Sequence, residues 1–359
     1  MKPLYDERLR RLRASTSAKK LDAFLVTDLK NIRYLTGFTG SNAYAVVSFD
    51  RAFFLTDPRY ASQSADEVKG FRIRIFKKAV DEVVRAAQAV KAGVIGFESS
   101  SMSFDTHARL AKAFKGKARL KATAGLLKTL RSVKDPFEIE KITEAARLLD
   151  RGFTRAMKVA VAGAVEMDAA FSIESFWRRR GAEGLAFDTI IASGSRGALP
   201  HGKASEKKIK KGELIVVDMG VLLNGYNSDG TRTFVTGKPT AKQKEVYQVV
   251  REAQSAAIES IRPGVMASAV DRAARSVIGK AGYGKYFGHG TGHGVGLDIH
   301  EAPGLSPMSE DVLEEGMVVT VEPGIYIPGW GGVRIEDMVL VTKNGAKLLT
   351  STTRDLVSL

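Results

Sequence analysis

The second half of the chain repeats itself. A helical segment closing on Val-Ala-Val-Ala-Gly163 is followed by a second over Met167–Arg180 and by Gly181; Ser-Ile-Arg-Pro-Gly264, a segment over Ser268–Lys280 and Gly282 restate the order, and both glycine pairs are 101 residues apart. Gly212 stands six residues before Asp218, across Ile-Val-Val, and Gly316 stands six residues before Glu322, across Val-Val-Thr-Val. Asp218-Met219-Gly220 then matches Glu322-Pro323-Gly324, and each strand turns back to a second acid, Asp229 or Glu336. A duplicated helix–helix–hairpin unit of this kind folds as two related halves, and each half contributes one acid pair.

The first hairpin can be read residue by residue. Between Glu213 and Phe234, two β-forming runs flank Asn224-Gly225, the strongest short-range hairpin signal because both turn residues tolerate positive φ. With that turn, residues facing each other have numbers summing to 449, so Asp218 faces Thr231 and Asp229 lies two residues further along the same face. Two carboxylates on an apolar sheet are costly unless a cation or hydrogen bonds compensate them. Acids at a solvated hairpin end would be the ordinary alternative, but the second acid pair at the matching place argues against it.

Composition sets the frame. A chain of 359 residues, 44% hydrophobic and 26% charged, suits about two domains with packed cores. The net charge is +15, yet the cations are spread along the chain with local knots at Arg178–Arg180 and Lys207–Lys211. With no basic tail, zinc-finger spacing or RNA-binding sheet motif, nucleic-acid binding is not expected as the main function. The absence of cysteine excludes disulfides, thiolate metal sites and a cysteine nucleophile. The first twenty residues lack an apolar signal core and no run approaches a membrane span, so a soluble cytoplasmic protein is expected, with no membrane partner.

From Leu21 to about Val80, short β-rich runs (AFLVT, AYAVVSF, AFFLT, FRIRIF) alternate with turns; helices are expected over Asp81–Lys91 and Asp105–Phe114, with a strand at Val94–Phe97 between them. The alternation predicts an α/β domain over residues 1–126 without a catalytic constellation, and His107 reads as a surface or packing residue rather than a ligand. Residues 127–134 read as a connection. Asp135-Pro136-Phe137-Glu138 then forms a strong helix start, followed by a core-facing stripe of Ile139, Ile142, Ala146, Leu149 and Phe153. The second domain is expected over residues 135–359.

Two acid pairs related by a pseudo-twofold would repel one another if all were ionised, and divalent metal resolves that conflict; two ions fit four carboxylates better than one. The remaining signal is GHGTGHGVGLDIHEAPG, residues 288–304, which sets His289, His293 and His300 among glycines that favour extended backbone. Imidazole there could ligate metal, shuttle protons or stabilise an oxyanion. The glycines at 292, 294 and 296 do not form the dinucleotide fingerprint, and Gly304 stands where a zincin would need its second histidine after His300-Glu301.

These residues resemble the aminopeptidase P/prolidase group of Xaa-Pro peptidases, which share the pita-bread fold with methionine aminopeptidase and creatinase. TGFTGSNAYAVVS and LTDPRY resemble the creatinase-like N-terminal domain; LPHGKAS, VVDMGVLLNGYNSDGTRTF, GHGTGHGVGLDIHE, VEPGIYIPG and GVRIEDMVLVT resemble the catalytic half. The resemblance implies an α/β N-terminal domain and an α+β pita-bread domain with a pseudo-twofold repeat. It implies two divalent ions, Mn²⁺ first with Co²⁺, Fe²⁺ or Zn²⁺ also compatible, held by Asp218, Asp229, His293, Glu322 and Glu336. In that pattern Asp229 and Glu336 bridge the ions, Asp218 binds one, and His293 with Glu322 binds the other. Glu322 would also carry a proton, His201, His289 and His300 would assist substrate binding and the transition state, and Arg334 would orient carboxylates. A homodimer acting on Xaa-Pro peptides is implied as well.

One departure bears on specificity. Some dipeptidase-type relatives carry arginine after the proline of the His-Glu-x-Pro segment, to grip the substrate's C-terminal carboxylate, whereas this chain has Gly304. That favours an Xaa-Pro aminopeptidase acting on Xaa-Pro-Yaa peptides, with a prolidase acting on dipeptides as the alternative. A non-enzymatic binding protein on the same scaffold is disfavoured because every ligand position keeps a coordinating residue.

Overall fold

The structure is a computed structural model and describes residues 3–359; Met1 and Lys2, which open the expected N-terminal domain, lie outside the described residues. It contains two compact units, one ending at Arg131 and one running over Ser132–Leu359.

In the first unit α1 (Tyr5–Ala18), β1 (Ala23–Val26), α2 (Leu29–Thr36), β2 (Ala43–Ser48), β3 (Ala52–Thr56), α3 (Ala61–Glu67), β4 (Arg72–Ile75), α4 (Ala79–Ala89), β5 (Val94–Glu98), α5 (Phe104–Phe114) and β6 (Arg119–Thr123) follow in order. The strands form one mixed sheet, β4-β3-β2-β1-β5-β6, with β1 parallel to β5 and antiparallel to β2. Leu25, Phe53, Leu55, Phe97, Val83 and Phe114 are buried together between the sheet and α4 and α5. The His107 ring packs at 5.1 Å on Phe97, which makes it the packing residue of the two alternatives. The segment read as a connection is mostly helical: α6 spans Leu126–Ser132 and buries Leu126, Leu127 and Leu130. Interleaved lysine and arginine hid that apolar face in the sequence.

The second unit opens with α7 (Pro136–Val159), whose start is a complete capping box. The Asp135 carboxylate accepts from the Glu138 N–H and the Glu138 side chain accepts from the Asp135 N–H. Such a cap is worth about 1 kcal/mol. Next come α8 (Glu166–Arg178), β7 (Gly184–Leu185), β8 (Ile190–Ser193), β9 (Leu214–Met219), β10 (Val221–Leu223), β11 (Tyr226–Asn227) and β12 (Gly230–Val235). The second copy follows as α9 (Ala241–Ser260), α10 (Ala267–Lys280), β13 (Gly292–Gly294), β14 (Glu301–Leu305), β15 (Val318–Val321), β16 (Gly324–Ile327), β17 (Gly331–Arg334), β18 (Asp337–Thr342) and β19 (Gly345–Leu348).

Each helix pair buries its apolar stripe against its own hairpin. Leu149, Phe153, Ile173 and Trp177 of α7 and α8 pack with Ile215 and Val217 of β9; Val246, Val250, Val270 and Ala274 of α9 and α10 pack with Val319 and Val339. Two such layers around central strands are the pita-bread arrangement, and they place both hairpins in the interior. Asn224 and Gly225 both have positive φ, and the pairs from Leu223–Tyr226 to Leu214–Val235 keep the register expected from that turn, with Asp218 opposite Thr231. The second hairpin is less regular as a copy. The pairs Val321–Asp337 and Gly324–Arg334 bracket Glu322 and Glu336, which therefore stand opposite each other rather than diagonally.

Candidate metal centre

The hairpins meet edge to edge at the acids. The Glu336 N–H donates to the Thr231 carbonyl at 3.0 Å, and Thr233 Oγ1 donates to the Arg334 carbonyl at 3.0 Å. These bonds pull β12 and β17 together and aim the acids of both copies into one cavity of about 320 Å³. Asp218, Asp229, His293, Glu322, Glu336, His201, His289, His300 and Arg334 all line it, along with Phe187, Ile190 and Pro200. Every candidate site residue read from the sequence therefore lines this one cavity.

At its floor, ligand atoms of Asp229, His293 and Glu336 lie within 4.8 Å of one another. His293 Nε2 is 3.4 Å from Asp229 Oδ2 and 3.5 Å from Glu322 Oε1, while its Nδ1 faces the Gly294 carbonyl at 3.0 Å. The ring thus turns Nε2 toward the carboxylates. The close approach of β13 to β15 requires glycine at 292, where a Cβ would lie 2.0 Å from the Thr320 carbonyl oxygen. Thr320 Oγ1 in turn accepts from the His293 N–H at 3.0 Å and donates to Glu322 Oε1 at 3.3 Å.

A hydrogen-bonded scaffold surrounds the acids. Arg334 donates from Nη2 to Asp218 Oδ2 at 2.5 Å, from Nη1 to the Tyr326 hydroxyl at 2.6 Å and from Nε to Thr231 Oγ1 at 3.0 Å. Thr231 Oγ1 donates onward to Glu336 Oε2 at 2.7 Å, and the Tyr326 hydroxyl meets His289 Nε2 at 2.8 Å. Arg334 reaches Glu336 only through Thr231; its direct partner is Asp218 in the other copy. Thr231 and Tyr326 were not singled out in the sequence, although the hairpin register placed Thr231 opposite Asp218. Tyr326 lies in an apolar strand and reads as core.

The carboxylates are electrically unsatisfied. Burial, opposed by Arg334 and reinforced by Asp229, raises Asp218 to about 6. Burial also raises Glu322 to about 7, with His293 opposing and Asp229 adding to the rise. Glu336 is pushed well above the carboxylate range by burial and then by Asp229, Glu322 and Asp218. Burial works against protonating His293, yet Asp229 and Glu322 together raise it to about 9, the pull of the same carboxylates that would draw a cation. Burial lowers His289 to about 4, keeping that ring neutral. Among the described residues, Asp218 Oδ1 and Glu336 Oε1 are buried without a hydrogen-bond partner. Orphaned carboxylate oxygens beside raised acids fit a divalent cation, which would satisfy those oxygens and displace the protons.

Comparison with known proteins agrees with this chemistry. The profile of metallopeptidase family M24 matches residues 140–343, and that of the creatinase/prolidase N-terminal domain matches residues 8–133. The chain belongs to metallopeptidase family M24. It is 41% identical over 355 residues to an Xaa-Pro dipeptidase of Pyrococcus horikoshii, covering 99% of each chain. An Xaa-Pro dipeptidase structure from Bacillus anthracis superposes with a TM-score of 0.96 at 40% identity, covering 99% of this chain and 100% of that one. An X-Pro aminopeptidase from Thermotoga maritima superposes with a TM-score of 0.89 at 37% identity, covering 96% and 100%. Within M24 the chain falls in the aminopeptidase P/prolidase group of metal-dependent Xaa-Pro peptidases, with their two-domain, pita-bread architecture. Among the described residues no helix is long and apolar enough to cross a membrane.

Proposed function

We propose that the protein is an Xaa-Pro dipeptidase working with two divalent ions. The observation that carries this reading is the convergence of Asp218, Asp229, His293, Glu322 and Glu336 on one cavity, with two carboxylate oxygens left without partners. Asp218, Asp229, His293, Glu322 and Glu336 would hold the ions, with carboxylates from both hairpins facing them. A mostly oxygen donor set suits Mn²⁺. When bound, the ions would polarise the scissile carbonyl and lower the pKa of water.

The chain's own residues supply the rest. Phe187, Ile190 and Pro200 offer an apolar wall for the proline ring. Glu322, held by Thr320, would move a proton toward the leaving proline nitrogen, which carries no hydrogen in the peptide bond. His201 or His300, which line the cavity, would donate to the developing oxyanion. His289 is fixed by Tyr326, and through Arg334 the same chain of bonds holds Asp218 and Thr231.

The dipeptidase assignment leans on relatives that are themselves named Xaa-Pro dipeptidases, from two Pyrococcus species and Bacillus anthracis. Gly304 favours the second reading, an Xaa-Pro aminopeptidase. It lies on β14 opposite His293, and a Cβ built on it would meet nothing within 4 Å, which leaves room for a longer peptide. The test uses metal-stripped protein given Mn²⁺ or Co²⁺, with an Xaa-Pro dipeptide, an Xaa-Pro-Yaa tripeptide and an Xaa-Ala-Yaa control. Metal-dependent release from the dipeptide above the others is expected; faster cleavage of the tripeptide would transfer the assignment to the aminopeptidase. No metal-dependent release from either proline substrate would refute both. A homodimer, implied by the family resemblance, is checked by sedimentation at micromolar concentration.

A further inference from the structure

The loop that presents His201 to the cavity leaves β8 at Ser193 and rejoins the main body near Ser205. It contains a short 3₁₀ turn over Gly194–Ala198 and no strand, and its own backbone bonds are local, among them those from the Leu199 N–H to the Arg196 carbonyl and from the Gly202 N–H to the Leu199 carbonyl. Its ends are instead gathered on one side chain. Glu166, in the first turn of α8 and fully buried, accepts five hydrogen bonds. Oε1 accepts from the Ser193 N–H at 2.8 Å and Ser193 Oγ at 2.7 Å. Oε2 accepts from the Ser205 N–H at 3.2 Å, Ser205 Oγ at 2.7 Å and Arg196 Nε at 3.1 Å. Arg196 then reaches across the loop and donates from Nη2 to the Lys203 carbonyl at 2.5 Å, two residues from His201.

The other half of the repeat is built in a comparable way. Asp271, buried on α10, accepts from the Thr291 N–H and hydroxyl and forms a two-pronged pair with Arg275. Arg275 donates to the Phe287 and His289 carbonyls. In both copies, then, a buried acid on the second helix grips a histidine-bearing segment, directly and through one arginine.

We infer that Glu166 is a positioning residue that sets the place of His201 through the Ser193–Ser205 loop. This rests on the role proposed above for His201. Glutamine at 166 keeps the shape but turns one acceptor into a donor facing donors, so the loop loses its clasp while α8 keeps its backbone bonds. None of the proposed metal ligands lies in this loop, so metal binding should be untouched.

The experiment uses the full chain loaded with Mn²⁺ and compares wild type, Glu166→Gln, His201→Ala and the double variant. Hydrogen exchange at residues 196–204 is expected to quicken in Glu166→Gln, with Mn²⁺ affinity unchanged and kcat down by about tenfold or more. In the His201→Ala background, Glu166→Gln should have little further effect on kcat. Effects that multiply in the double variant would overturn the inference. So would unchanged exchange in Glu166→Gln alongside a slowed His201→Ala enzyme, which would leave the role of His201 standing. Full activity in His201→Ala would instead remove that role, and the inference with it. If Glu166→Gln does not fold, Ser205→Ala, which deletes one of the five bonds, is expected to act in the same direction more weakly, and unchanged loop exchange there would count against the inference.

Discussion

Replacing Arg232 with methionine should destabilise the catalytic unit strongly. Arg232 and Asp337 are each 1% exposed and joined at 2.6 Å, immediately beyond Thr231 and Glu336 on their strands. The guanidinium also donates to the carbonyls of Thr231, Glu336, Thr352 and Thr353, tying both hairpins to the C-terminal segment. Methionine fills similar volume, so the cost comes from the charge left behind and from the carbonyls that lose their donor. Asp337 would keep only Gln254 and Thr350 as donors. Breaking a buried pair by removing one partner costs about 3–5 kcal/mol. Urea unfolding followed by tryptophan fluorescence suits the measurement, because both tryptophans, Trp177 and Trp330, lie in the catalytic unit. Adding Asp337→Asn neutralises the orphaned charge and should recover about 1–3 kcal/mol. A loss below about 1 kcal/mol in the single variant, or a double variant less stable than the single one, would refute the reasoning.

Other expectations concern the centre itself. Thr231→Val removes the hydroxyl between Arg334 and Glu336 without changing shape, and should weaken Mn²⁺ binding by about 10–100-fold in a calorimetric titration. Stripping the metal should make stability depend on pH. Asp218, Glu322 and Glu336 are raised in the folded protein, so their contribution is fully present below the unfolded values of about 4 and is lost as pH rises through about 6, about 7 and beyond. The metal-free protein should therefore melt at a lower temperature at about pH 8 than at about pH 5.5, and Mn²⁺ should flatten the difference in a thermal scan. Gly304→Arg faces open space, so it should fold normally and raise the dipeptide-to-tripeptide ratio of kcat/KM; a ratio unchanged or lowered would count against the place given to Gly304.

The sequence made the first hairpin legible in detail because Asn224-Gly225 fixes its turn, and a fixed turn fixes every partner along the strands, Asp218 and Thr231 included. The second acid pair was legible only by analogy. Its turn is longer, so the direct opposition of Glu322 and Glu336 could not be counted out from matching glycines. Tyr326, Glu166 and Arg232 escaped for a shared reason. Each acts through atoms distant in sequence, and a tyrosine in an apolar strand, a glutamate opening a helix or an arginine in a strand has an ordinary reading until the partners are placed. The α6 helix was missed because interleaved cations masked three buried leucines.

The central claim is that the two acid pairs and His293 form one centre with Asp229 at its middle. Counting Mn²⁺ bound per chain in metal-stripped wild type and Asp229→Asn, with Xaa-Pro hydrolysis followed in the same samples, tests it most directly. Two ions in the wild type, and at most one with activity abolished in a folded Asp229→Asn protein, are predicted. Two ions and undiminished hydrolysis in Asp229→Asn would contradict it.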